Sequence, residues 1–278
     1  MQLSFLRDEG SSYQQERAKS YTKASLIEAL REIRSRGWIA NARPGNVGGV
    51  GNTLEDLLGV DENNLPLANA GEWELKCQRA NTTSLVTLFH MEPWPRTTRV
   101  VPRLLLPNYG WPHRQASTGY PVDELSFRQT ITAHSRSDRG FKVVVHRPSE
   151  RVLISFDAGA VHPRHAAWLC DVERRVGLAE LDPQPYWDFD RLQTKARGKL
   201  RNCFFLQAEV KREQGVEHFH YHRILILQEF SLDGFIGGLE LGNLLVDFDA
   251  RTGHNHGTKF RLRQNEWPAL YDHVEEVT

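Results

Sequence analysis

Glu74, Leu75 and Lys76 form an acid-x-lysine unit within residues 72–79 (EWELKCQR), where polar and apolar residues alternate as in a strand. A strand turns every second side chain to the same side, so Glu74 and Lys76 share a face. Phosphodiester hydrolysis needs such groups. An oxygen-ligated Mg²⁺ neutralises developing charge, and a nearby lysine orients water or stabilises the anion. A further acid, Glu55, stands upstream in residues 54–58, a run that Thr53 would cap and Gly59 would end as a brief helix. Taken alone, an acid-x-lysine pair is more commonly a solvated charge pair on a strand surface.

A second concentration of polar groups lies near the other end of the chain. Asp249, Arg251, His254, His256, Lys259, Arg261 and Arg263 follow one another in a short run after a strand candidate. Arginine reads guanine through its O6 and N7 acceptors, and an acid accepts from cytosine N4, so an Asp-x-Arg unit suits a C·G pair. Lys195, Arg197, Lys199 and Arg201, with Arg96, Arg99 and Arg103, are candidate phosphate contacts or plain surface charges. His90 lies just past a strand candidate, where it either approaches DNA or caps the strand. His218, His220 and His222 would project to one side of a strand. With no cysteine or acidic cluster nearby, a polar strand face or a DNA-touching surface fits them better than a zinc site. The glycine-rich run 45–51 lacks the lysine and hydroxyl residue of a Walker motif, so no nucleotide cofactor is expected.

These groups need elements to hold them. Residues 25–37 carry apolar side chains at helical spacing and end in Gly37. Residues 72–79 and 84–90 read as two strands of a hairpin, and 91–121, rich in proline, arginine and tryptophan, as an irregular, basic surface connection. Strands are expected at 141–147 and 151–157 around a Pro-Ser-Glu turn, then helices at 165–176 and 188–200. Strands at 202–210 and 220–230, a helix at 232–241, a strand at 244–249 and a polar segment at 250–263 complete the pattern, a mixed α/β chain. With 278 residues, 40% of them hydrophobic and 25% charged, the chain is long enough for one sizeable unit of two lobes. Net charge is zero, so no partner follows from global charge. Three widely spaced cysteines argue against a disulfide framework. No apolar stretch reaches the roughly 18 residues of a membrane span and no signal peptide opens the chain, so a cytoplasmic location without membrane contact is expected.

Two stretches carry a family resemblance. Residues 45–96 (GNVGGVGNTLEDLLGVDENN…GEWELK…TLFHMEPWPR) and 247–263 (DFDARTGHNHGTKFRLR) resemble the MvaI/BcnI restriction endonucleases, while the residues between them match only in order of elements. The resemblance implies a PD-(D/E)xK restriction-endonuclease-like core of MutH type, whose two lobes form a cleft for double-stranded DNA. The catalytic lobe would lie mainly in 20–157 and the recognition lobe mainly in 158–278. It further implies that Glu55 is the helix glutamate, Glu74 the metal-binding strand acid, Leu75 a carbonyl ligand and Lys76 the catalytic lysine. Monomer or weak dimer action on a C·G-rich site follows by the same resemblance, as does DNA contact by residues 249–263.

One position departs from the family pattern. Where the family places a metal-binding aspartate, five residues before Glu74, this chain has Asn69. An amide offers a neutral oxygen to a hard dication, so Mg²⁺ affinity and rate should both fall. Three readings stand: an engineered Asp-to-Asn change, a naturally impaired nuclease, or a different acid, Asp61 or Glu72, in the role. A DNA-binding protein that has lost catalysis and a MutH-like nicking enzyme remain alternatives in function.

Overall fold

A computed structural model describes residues 20–46, 48–60, 73–80, 82 and 84–278. The first elements are α1 (Lys23–Ser35), β1 (Ile39–Ala40), α2 (Gly49–Leu58), β2 (Glu74–Arg79) and β3 (Leu85–His90). They are followed by α3 (Leu106–Tyr109), β4 (Trp111–Pro112), β5 (Leu125–Ile131), β6 (Arg139–His146), β7 (Arg151–Val161), α4 (Ala166–Val176) and β8 (Tyr186–Asp188). The rest of the chain forms α5 (Phe189–Arg197), β9 (Cys203–Glu213), β10 (Val216–Phe230), α6 (Leu232–Glu240), β11 (Leu244–Arg251), β12 (His254–Asn255), β13 (Lys259–Arg263) and β14 (Tyr271–Glu276). Among the described residues no helix is long and apolar enough to cross a membrane.

α1 forms where the spacing predicts it, opened by a reciprocal Thr22–Ser25 capping box and burying Leu26, Leu30 and Ile33 along one stripe. α2 is longer than expected and begins inside the glycine run. Thr53 is not its cap: the Thr53 hydroxyl is buried, accepts from the Ala42 N–H at 3.1 Å and lies 3.3 Å from Asn41 Oδ1. A β-carbon on Gly49 would stand 2.8 Å from Asn41 Nδ2, so only glycine lets the first turn press this closely on Asn41. Gly59 ends the helix in the left-handed conformation, φ 66°, as the sequence predicts.

Three sheets follow from the pairing. The first has the order β1-β10-β9-β2, with β14 also on β10; the second runs β3-β13-β11-β5-β4, with β12 on β11; the third is β6-β7-β8. β2 and β3 therefore do not form the expected hairpin. β2 runs parallel to β9 with Glu74 opposite Cys203, whereas β3 pairs antiparallel with β13 in the second sheet, His90 opposite Lys259. Alternation identifies a strand but says nothing about its partner, and here both partners come from distant parts of the chain.

The first sheet is covered on both faces. Phe204, Leu206, Ala208, Tyr221, Ile224 and Ile226 face α1 and α2 in one apolar cluster. Cys203, Phe205, Leu225 and Leu227 face the opposite way, into a larger cluster that includes Phe89, Phe127, Phe235, Phe248 and Phe260 of the second sheet and α6. Both clusters draw on residues from either side of position 157, because β9 and β10 carry the chain back beside the N-terminal elements. The segment 91–121 differs from expectation too. Residues Val101–Leu105 form a π-helical turn that leads into α3, and Val100, Val101, Leu104, Leu105, Leu106 and Tyr109 are buried in the larger cluster. Its prolines and arginines mask a compact apolar face.

Candidate active site and nucleic-acid interface

Lys76 and Glu74 lie on one face of β2, as alternation requires, with Lys76 Nζ 2.5 Å from Glu74 Oε1. Their register partners on β9 are Phe205 and Cys203, so the couple faces the second sheet and not the helices. Trp267 lies beneath the ammonium group, 5.0 Å from ring centre to Nζ, and holds the lysine by a cation–π contact. Next along the same face Gln78 is buried and donates to Asn265 Oδ1 at 3.2 Å. Cys203 records the couple's charges: burial pushes its thiol up to about 12, with Lys76 pulling it down and Glu74 pushing it up.

Glu55 approaches β2 from behind. Leu75 and Cys77 pack toward the helices, and the Cys77 thiol is pushed up first by burial and then by the negative charge of Glu55. Two buried tyrosines fix the helix that carries Glu55. Tyr221 Oη donates to the Val50 carbonyl at 2.8 Å near its start, and Tyr21 Oη donates to the Leu58 carbonyl at 2.6 Å at its end. An Arg43–Asp56 pair, with contacts of 2.6 and 3.1 Å, braces the outer side. Glu55 thus reaches the strand on the Cys77 side, while Glu74 and Lys76 project from the other.

β2 pairs with a neighbour on one side only among the described residues. The Glu74 N–H donates to Asn202 and the Ala80 N–H to Ala208, so even-numbered backbone groups face β9. By the same alternation the Leu75 carbonyl faces the unpaired edge. A carboxylate of Glu74 and that carbonyl are hard oxygen donors, which suits a divalent cation of the Mg²⁺ type. Asn69, Asp61 and Glu72 lie outside the described residues. Among the described residues no three His, Cys, Asp or Glu side chains cluster as a metal site, the H-x-H-x-H strand included. His220 instead lies 3.6 Å from Glu209 and against Trp38, and His222 packs beside His220.

The second sheet presents the other candidates. Along β11, Leu244, Val246, Phe248 and Ala250 enter the core, which leaves Asp247, Asp249 and Arg251 on the outer face. β13 adds Lys259, Arg261 and Arg263 to that face, and His90 stands opposite Lys259 on β3. His254 and His256 are exposed at the β12 turn, their rings 4.2 Å apart. The charges are paired across strands. Asp249 binds Lys259 at 3.1 Å and Arg128 at 2.9 Å, Arg251 binds Glu124 at 3.1 Å, and Arg261 lies 3.7 Å from Asp247. Burial alone would raise the Asp249 carboxyl, but its bond to Lys259 and the charges of Lys259, Arg128 and His256 hold it below the usual range.

A profile of the MvaI/BcnI restriction endonuclease family matches residues 27–271. The chain belongs to that family. The solved complex of restriction endonuclease MvaI with its cognate DNA aligns at 24% identity over 91% of this chain and 97% of that one, with a TM-score of 0.59. MvaI in the absence of DNA aligns at 21% identity over 91% and 96%, with a TM-score of 0.57. No curated protein matches the chain by sequence.

Restriction endonucleases of the MvaI/BcnI family cleave DNA, and the mixed α+β fold with several sheets is that of MvaI. Sequence reasoning missed part of the outer face of the second sheet. Arg128 and Thr130 on β5 lie opposite Asp249 and Asp247, and Thr130 donates to Asp247 Oδ1 at 2.8 Å. The alternation LSFRQTI over β5 was the available signal. Trp267 and Gln78, which pack around Lys76, carry no signal in linear spacing.

Proposed function

We propose that this chain is a Type II-like restriction endonuclease that hydrolyses phosphodiester bonds in a short C·G-rich site of double-stranded DNA with Mg²⁺. The observation that carries the reading is the Glu74–Lys76 couple on one face of a strand edge in a chain of the MvaI/BcnI family, with Asp249 and Arg251 on the outer face of the second sheet. In this reading, Glu74, the Leu75 carbonyl and the residue at position 69 hold the cation. Bound there, Mg²⁺ supplies the positive charge that offsets the developing negative charge on a phosphate oxygen. Lys76, kept in place by Glu74 and Trp267, orients the attacking water or stabilises the anion. Glu55 supports the cation or the lysine from the helix behind. Asp249, Arg251, His254, His256, Lys259, Arg261, Arg263 and His90 contact the DNA, with Asp249 and Arg251 suited to a C·G pair. The enzyme acts as a monomer or weak dimer in the cytoplasm, without a nucleotide cofactor.

Asn69 favours a second reading, a nuclease-fold protein that binds DNA with impaired catalysis. Plasmid digestion with Mg²⁺ separates the two. Asn69→Asp is expected to create or raise cleavage at discrete sites by roughly a hundredfold or more, the scale of losing one charged transition-state contact. Duplex binding with no cleavage by either form supports the second reading; random nicking by the aspartate form sinks the site-specific one.

A further inference from the structure

α5 and the turn at Arg96–Thr98 line a cleft of about 860 Å³ whose walls carry Arg96, Arg99, Arg191, Lys195 and Lys199. The chain as a whole is neutral, so this is a local excess of positive charge. Arg191, Lys195 and Lys199 recur at four-residue spacing, which lines them up along one side of α5 and the turn after it. Like charges at that spacing repel one another, a cost that an external anion removes. Arg191 is ion-paired with Asp188 at 3.4 Å, whereas Arg96, Arg99, Lys195 and Lys199 form no ion pair among the described residues.

The opposite wall is ordered in advance. The guanidinium groups of Arg96 and Arg191 lie over the Trp94 ring at 5.2 and 3.9 Å, which restricts both. Arg99 holds a left-handed backbone, φ 48°, unfavourable for a residue with a β-carbon, and such conformations concentrate at functional turns. Glu92 also borders the cleft, but its carboxylate accepts from the Thr258 backbone and hydroxyl and from Asn255, which commits it to the 254–258 turn. His90 and Asn255 form the rim nearest the second sheet, so the cleft is continuous with the face that carries Lys259.

We infer that this cleft binds the sugar–phosphate backbone of a duplex beyond the base pairs met by the second sheet, and supplies affinity that is independent of sequence. The inference rests on duplex DNA being the ligand proposed above. A free phosphate shares the chemistry, but a backbone presents phosphates in series, matching cations in a row on one wall and a pair on the other.

Fluorescence anisotropy of the full chain with a random-sequence duplex, without divalent cation and across a KCl series, tests it. The double variant Lys195→Ala/Lys199→Ala is expected to bind about tenfold to a hundredfold more weakly at ~0.1 M salt, and to flatten the slope of log K against log salt by about 1.8. Arginine at both positions keeps the slope and the affinity. Preference between a chosen duplex and its scrambled form, read the same way, stays unchanged. Both lysines are exposed, so the fold survives, which the thermal midpoint checks; Arg96→Gln/Arg99→Gln repeats the test from the other wall. If wild type binds duplex and neither double variant alters slope or affinity, the inference is overturned. Competition by micromolar inorganic phosphate or a mononucleotide, lost in the lysine variant, also overturns it and assigns the cleft to a small anion. No binding of wild type to any duplex instead overturns the DNA reading beneath it.

Discussion

The two charged surfaces of this protein are built in opposite ways. On the first sheet a single charged couple, Glu74 and Lys76, stands in a face that also carries Gln78, Cys203, Phe205, Leu225 and Leu227. On the second sheet the outer positions of neighbouring strands carry several charges, most of them paired across strands, as Asp249 is with Lys259 and Arg128. A single couple, 32% exposed at Glu74 and 23% at Lys76 and held by Trp267, is fixed in place yet open to solvent, which suits chemistry at one point. The lattice of mutual pairs is no more open, Asp249 and Lys259 being 20% exposed each, but its partners are shared and exchangeable. Each side chain keeps its orientation until a base edge or phosphate takes the place of its partner, which suits recognition over an area.

The contrast can be broken most severely at Phe205, the register partner of Lys76, buried to within 1%. Phe205→Ala is expected to cost about 3–5 kcal/mol of stability, measured by denaturant unfolding. A loss under about 1 kcal/mol would show that the couple is not held by its apolar surroundings. Next is Lys76→Ala in the Asn69→Asp background. Cleavage should fall by about 10²–10³-fold while duplex affinity changes little, since one transition-state contact is lost. Equal losses in binding and cleavage would erase the division of labour.

On the other surface, Asp249→Ala should reduce discrimination between matched and mismatched duplexes by about 1–3 kcal/mol, as for one base contact, with cleavage chemistry intact once DNA is bound. Unchanged discrimination removes Asp249 from the reading surface. The smallest effect concerns pH. Because Asp249 is held below its ordinary range when folded, its contribution to stability is fully present above the unfolded carboxyl value of about 3.9 and lost as pH falls through the lower folded value. The stability gap between wild type and Asp249→Asn should therefore narrow only below about pH 4, followed by thermal unfolding; a gap that narrows near neutrality would implicate another group.

Much of this was legible in the chain because it is local. Helical spacing announces α1, Gly59 announces the end of α2, and period-two alternation places Glu74 with Lys76. What was not legible depends on contacts between distant residues. Nothing in residues 72–90 reveals that one strand will join Cys203 and the other Lys259, since both possible hairpin edges look alike in pattern. The burial of Val101, Leu104 and Leu105 was hidden because a π-helical turn departs from the helical period and prolines at 102 and 107 suggest a loop. Of the candidate site, Lys76 and Glu74 were readable, but Trp267 was not. It comes from a turn far along the chain and only the completed fold brings it under the lysine.

The separation of β2 and β3 into different sheets has a mechanical consequence. The chain passes from Arg79 to Leu85 in a few steps, and at roughly 3.3–3.6 Å per residue this tether spans about 20 Å at most. Short crossings from α5 to β9 and from β10 to α6 stitch the same seam. The two sheets are therefore tied close together along that seam, so a displacement of the second sheet is passed through a short tether to the strand that bears Glu74 and Lys76.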